Sequence, residues 1–311
     1  MIKYLRQDEI DVDKWDQCIS HSVNGMIYAF SWHLDIVNNR WEALVEGDYE
    51  RVMPLTPGKK ANINYLFQPP FTQQLGIFST SHLTSQVVND FIKAIPSKYK
   101  LIEINLNTYN KPDSQTTGFT PWLTHELDLI SDYDTITKNY SNNLKRNLKK
   151  ARQSKLSISE HVRPEELITI FKENKGKELK HLTNYHYDLL RRLINVMVYK
   201  NTASVIGAYD ETNSLCAGAF FVFSNRKAIF YFSATNDTAK ETGAMPLVID
   251  YFIQKHAHSH ITLDFEGSND PGLARFYKSF GATQITYPHL YLNKLNPLFR
   301  FGLSVIKKLK N

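Results

Sequence analysis

Two carboxylates stand two residues apart in the run Ile261-Thr262-Leu263-Asp264-Phe265-Glu266. Its alternation predicts a strand, so Asp264 and Glu266 share one face. A carboxylate there can accept a proton from an amine or hold the amine in place, directly or through water. It can equally pair with Arg275 or Lys278, which follow closely. Upstream, Lys240-Glu241-Thr242-Gly243-Ala244 leads into Leu247, Val248, Tyr251 and Phe252, an apolar spacing that predicts a helix. A helix start leaves backbone N–H groups unpaired at the positive end of its dipole. A Gly-bearing turn there suits a phosphate or pyrophosphate, with Gly243 and Ala244 facing the anion and Lys240 beside them. Downstream, Leu273 to Phe280 predicts a short helix that carries Tyr277 and stops at Gly281. The Tyr277 phenol can serve chemistry, or pack between helix and sheet with its hydroxyl satisfied.

These groups need a frame. Ala228 to Ala234 is β-branched and aromatic, and predicts a buried strand. The order is then strand, Gly-containing turn, helix, strand, turn, helix. If the first strand splays from its neighbour, its N–H groups, at Phe232 among others, could hold a donor carbonyl.

Earlier in the chain the same order recurs. Residues 27–37 predict a helix, 42–46 and 52–55 a pair of strands, 84–95 an amphipathic helix ending near Pro96, and 101–106 a strand. The turn acids Asp48 and Asp210, the helix acids Asp90 and Asp250, and the strand acids Glu103 and Asp264 are each about 160 residues apart. This predicts an α/β chain, with an α+β mixed sheet, in which one unit is used twice. The division expected is 1–130 for a degenerate first unit, 131–295 for a second unit carrying the site, and 296–311 for a basic amphipathic tail.

Between the units, Tyr140, Leu144, Leu148 and Ala151 fall on one helical face, and Lys145, Arg146, Lys149, Lys150 and Arg152 occupy the rest. This is a solvated surface helix, or one that contacts phosphates of tRNA or a nucleotide-linked substrate. Two more helices, 165–179 and 187–199, flank a loop, Lys180 to His186, whose Tyr185 could floor an acceptor pocket.

The 311 residues are 42% hydrophobic and 22% charged, which excludes a disordered chain. The start of the chain has no apolar core region and no run reaches membrane-spanning length, so a cytoplasmic location is expected, with at most a peripheral membrane contact through the tail. Cys18 and Cys216 predict neither a structural disulfide nor a thiolate metal site. His256, His258 and His260 read as helix-end residues, and no metal is expected. A net charge of +6 permits a phosphate-bearing partner. Oligomeric state is not legible.

The run Asn269, then Ala274-Arg275-Phe276-Tyr277-Lys278-Ser279-Phe280-Gly281-Ala282, resembles the closing motif of GNAT acyltransferases. In that superfamily a turn of the form Q/R-x-x-G-x-G/A cradles the pyrophosphate of coenzyme A. Lys240 and Met245 depart from it here. With the basic helix N-L-K-R-N-L-K-K-A, the whole chain resembles the FemABX group. That resemblance implies two tandem GNAT-like domains and transfer of an acyl or aminoacyl group, from acyl-coenzyme A or aminoacyl-tRNA, to an amine of a cell-envelope precursor, cell-wall polysaccharide or small metabolite. It implies that Tyr277 protonates the leaving group, that Asp264 or Glu266 serves the acceptor amine, and that Arg275, Asn269, Lys145, Arg146 and Tyr185 contact substrate. The alternative is a binding protein that kept the fold and lost donor binding.

Overall fold

The structure is a computed structural model that describes residues 1–267 and 269–295. The amphipathic tail expected from residue 296 lies outside them. The chain is mixed α/β. In order, it runs β1 (Ile2–Leu5), α1 (Val12–His21), α2 (Ser31–Val37), β2 (Glu42–Glu46), β3 (Arg51–Leu55), β4 (Pro57–Lys60), β5 (Ile63–Phe67), β6 (Phe78–Ser79), α3 (Ser85–Ala94) and β7 (Tyr99–Asn105). There follow β8 (Phe119–Asp128), α4 (Tyr133–Lys138), α5 (Asn142–Gln153), β9 (Ser157–Ser159), α6 (Pro164–Glu173), α7 (Asn184–Tyr199), β10 (Ala203–Tyr209), β11 (Leu215–Ser224) and β12 (Lys227–Thr235). The last elements are α8 (Asp237–Thr242), α9 (Ala244–His256), β13 (Thr262–Asp264), α10 (Pro271–Lys278) and β14 (Thr283–Asn293).

Two compact units form among the described residues, one from Met1–Trp122 with Thr286–Leu295, the other from Leu123–Ile285. The cuts thus fall at 122 and 285, against the linear division at 130 and 295. The reason is strand pairing: β14 lies antiparallel on β7, with His289 opposite Asn105 and Asn293 opposite Leu101, while β8 lies antiparallel on β13, with Leu127 opposite Leu263.

In the first unit, β1, β2, β3 and β6 pair in that order, and β5 runs parallel to β7. Phe91, Tyr99, Ile102 and Leu290 are buried in its core. Trp15 packs on Trp41 with ring centres 4.7 Å apart and donates its indole N–H to the Ala29 carbonyl at 2.8 Å.

In the second unit the order is β8, β13, β12, β11, β10, β9, with β12 and β13 parallel and the other pairs antiparallel. Helix α9 lies on this sheet because Val248, Ile249, Phe252 and Ile253 present one continuous apolar surface to it. Phe252 stacks on Phe221 at 3.8 Å, and full burial of such a ring contributes roughly 1.5–3 kcal/mol. Helix α5 starts at Ser141, whose hydroxyl accepts the Leu144 N–H at 3.2 Å. It buries Leu144, Leu148 and Ala151 and leaves Lys145, Arg146, Lys149, Lys150 and Arg152 exposed.

Asp48 lies in the turn between β2 and β3 and Asp210 between β10 and β11; Asp90 sits on α3 and Asp250 on α9; Glu103 sits on β7 and Asp264 on β13. Short β13 ends at Asp264, so Glu266 is off the strand and does not share a strand face with it. Glu266 and Gly267 are both left-handed, with φ of 55° and 50°, which swings the chain out of the sheet. The polar turn expected after β12 contains a helix, α8, that the sequence pattern does not announce.

Candidate active site

The strands β12 and β13 pair over Lys227–Thr262, Ala228–Leu263 and Ile229–Asp264. Beyond that point β12 continues to Thr235 while β13 has ended. No described strand pairs with the β12 edge from Phe230 to Thr235 on that side, and the adjoining space is a cleft of about 590 Å³. Its register shift, between Phe220 and Phe221 against β11, falls at the same place and puts Phe232 opposite Phe220 but Phe230 opposite Phe221. A bulge of this kind bends a strand and re-aims its side chains.

Around the cleft, Phe230, Met245, Leu273, Phe276 and Tyr277 supply apolar wall. Asn174, Ser233 and Thr235 are polar, and two ion pairs sit with them: Lys240 to Asp237 at 3.0 Å, and Lys175 to Glu178. Sequence reasoning missed Lys175, Glu178 and Asp237. The available signal was the charge pattern at i and i+3 where the predicted helix 165–179 frays into a 3-10 turn at Lys175–Glu178.

Tyr277 is 5% exposed and on the cleft wall. Helix α10 holds it there: Asp270 caps the helix by accepting the Leu273 N–H at 2.9 Å, Pro271 occupies the first turn, and Gly281 closes it at φ 81°. The ring stacks on Phe265 at 4.8 Å. No described residue hydrogen-bonds the Tyr277 hydroxyl. Burial, and then the charges of Glu266, Asp270 and Asp264, push its pKa up, so the phenol keeps its proton. Glu266 also acts on Tyr231, whose phenol is raised first by burial. Phenols and Glu266 therefore share one electrostatic neighbourhood at the fork.

Asp264 is placed differently. It is fully buried, and its oxygens accept from Thr124 Oγ1 at 2.5 Å, from Lys227 Nζ at 3.0 Å and from the Glu266 N–H at 3.1 Å. Lys227 also donates to Glu126 at 2.5 Å. Its ammonium pKa is raised despite burial, through Asp264 and then Glu126. The ion pair expected with Arg275 or Lys278 is thus made with Lys227, because parallel pairing sets Lys227 and Asp264 across the same junction.

Gly243 is left-handed, φ 79°, closing α8 and opening α9. An added Cβ would lie 3.1 Å from the Asn147 carbonyl oxygen on α5, so both conformation and close packing call for glycine. Neither Gly243 nor Ala244 is on the described cleft wall, whereas Lys240 and Met245 are. Phe232 is 9% exposed and packs on Phe171 at 4.9 Å, and only Phe171 of that pair lines the cleft.

The remaining expected contacts spread over the unit. Asn269 accepts the Leu123 N–H at 3.1 Å, which ties the loop after β13 to β8. Arg275 is exposed on α10. Tyr185 is 62% exposed at the start of α7, edge-on to His186. Lys145 donates to the Lys138 carbonyl at 3.3 Å and Arg146 to Asn143 at 3.4 Å, both on the exposed side of α5. Among the described residues no group of three or more His, Cys, Asp or Glu is placed to hold a metal, and no helix is long and apolar enough to cross a membrane. A hollow of about 300 Å³ in the first unit, walled by Pro112, Pro121 and Tyr287, has Lys111 as its charged residue and no acid.

No protein-family model matches the sequence, and no curated protein matches it. Solved structures do. FemX is similar with a TM-score of 0.62 and 12% identity, over 96% of this chain and 99% of that one. A conserved protein of unknown function from Bacteroides thetaiotaomicron is similar at 0.58 and 11%, over 94% and 99%. L-PGS from Bacillus licheniformis is similar at 0.52 and 11%, over 96% of each. At such identities the likeness is one of fold. The resemblance to the FemABX group read from Asn143 to Arg152 and Leu263 to Ala282 is therefore met in the backbone, and this chain has the fold of FemX.

Proposed function

We propose that this chain transfers an acyl or aminoacyl group to an amine, in two tandem GNAT-like units of which the second carries the site. The observation behind this reading is the cleft where β12 outruns β13, with Tyr277 in its wall and Lys240 at its rim. A donor carbonyl laid along the open edge of β12 meets backbone N–H groups suited to an oxyanion. The acceptor nitrogen attacks that carbon and loses a proton to Glu266, directly or through water, while the donor's ester or thioester bond breaks and Tyr277 protonates the departing oxygen or sulfur. Asp264, fully engaged by three donors, holds the fork open.

The turn favours aminoacyl-tRNA over acyl-coenzyme A as donor. Gly243 packs toward α5 and Met245 lines the cleft, while the coenzyme A turn of the resembled superfamily has a small residue at the position of Met245. The motif resemblance to the FemABX group supports an acceptor in the cell envelope. Calorimetric titration with aminoacyl-tRNA and with acyl-coenzyme A, followed by transfer assays to amine acceptors, tests this. Binding and turnover with the charged tRNA is the expected result. Silence with both donors would leave a binding protein that kept the fold.

A further inference from the structure

A second hollow, of about 330 Å³, opens between α4 and α5 within the second unit, and its wall carries Lys138, Lys145 and Arg152 with Tyr133, Thr137 and Tyr140. No described carboxylate lines it. Beneath it sits Asp250 of α9, 2% exposed, which accepts from Tyr133 at 2.8 Å, from Tyr140 at 3.1 Å and from Arg152 Nη2 at 3.0 Å. All the described hydrogen bonds of Arg152 run through Nη2. Its guanidinium is therefore held through Nη2, and no described residue bonds its Nε–H or Nη1–H, with 58% of the side chain exposed. Asp132 acts on Lys138, so with Asp250 on Arg152 two acids stand against the three cations of the wall.

Cationic side chains line the hollow with no described carboxylate among its walls, and Lys145 is bonded to a carbonyl rather than to an acid. We infer that this hollow binds the phosphoryl group of a small soluble molecule, free phosphate or a nucleotide phosphate, with Lys138, Lys145 and the unbonded donors of Arg152 as its cationic wall. The inference stands apart from the transferase reading, since neither Tyr277 nor the β12 cleft enters it.

Titration of the full chain with inorganic phosphate and with adenosine 3′,5′-bisphosphate, followed by calorimetry and phosphorus NMR, tests it. Saturable binding with a dissociation constant of about 1 mM or tighter is expected. Arg152→Gln should weaken it roughly tenfold. Because that change also strips a partner from buried Asp250, the exposed pair Lys138→Gln/Lys145→Gln serves as the second variant, with a weakening of about fivefold or more. The control is Lys149→Gln/Lys150→Gln, on the same helix but off the wall, which should bind as the parent does. Tighter binding of the bisphosphate, lost in the same variants, identifies a nucleotide phosphate; equal binding identifies phosphate itself. No saturation up to roughly 20 mM of either probe, or equal losses in the pocket and control pairs, overturns the site.

Discussion

Tyr277→Phe separates a proton donor from a packed ring. The ring contacts, 4.8 Å to Phe265 and 6.3 Å to both Phe230 and His125, survive the change. No described residue bonds the hydroxyl, so the loss of stability should stay below about 1 kcal/mol. Loss of leaving-group protonation should instead lower turnover by about 10²–10⁴-fold, a barrier increase of about 3–5 kcal/mol. The assay is single-turnover transfer from whichever donor the parent accepts, with urea unfolding run beside it. The pH profile adds a sign. A phenol whose pKa is raised stays protonated through neutrality, so no loss of rate from Tyr277 ionisation should occur below about pH 10. A turnover within a few-fold of the parent, at unchanged stability, would remove the phenol from the chemistry and leave it a core ring.

Two further changes probe the frame. Lys227→Met leaves Asp264 and Glu126 without their shared cation, and should destabilise the second unit by about 3–5 kcal/mol in urea unfolding. In the parent, the raised folded-state pKa of Lys227 means that its contribution is complete below the unfolded value near 10.4 and fades as pH climbs above it, a fade that the variant should lack. In the first unit, burial pushes the His33 imidazole down to about 3. The unfolded chain protonates it near 6.5, so stability should fall as pH drops from about 6.5 toward 3, by at most roughly 1.4 kcal/mol per pH unit. His33→Leu should flatten that slope in acid titrations followed by circular dichroism, and an unchanged slope would assign it to other groups.

Local periodicity made much of the second unit legible. The strand expected at 228–234 is β12, and the helix expected from its 3.6-residue spacing after Gly243 is α9. The spacing of Tyr140, Leu144, Leu148 and Ala151 marked α5, and the short helix read before Gly281 is α10, which ends at Lys278. These signals survive without a fold because they concern neighbours on one helix face or one strand. Strands β8 and β14 went unread, since each pairs with a strand far away in the chain, β13 and β7 respectively.

The site divides along the same line. Sequence alone determined that a phenol and a glycine stop would share one short helix, because turns are satisfied by residues within a few positions. Only the tertiary structure decided that Asp264 is consumed by Lys227, 37 residues earlier, and by Thr124, 140 residues earlier. It alone decided that Gly243 turns to α5, that Met245 enters the cleft, and that Arg152 is held by an acid on another helix. Charges and backbone donors are matched by distance in space, and the chain's order carries no record of that distance until strands have paired.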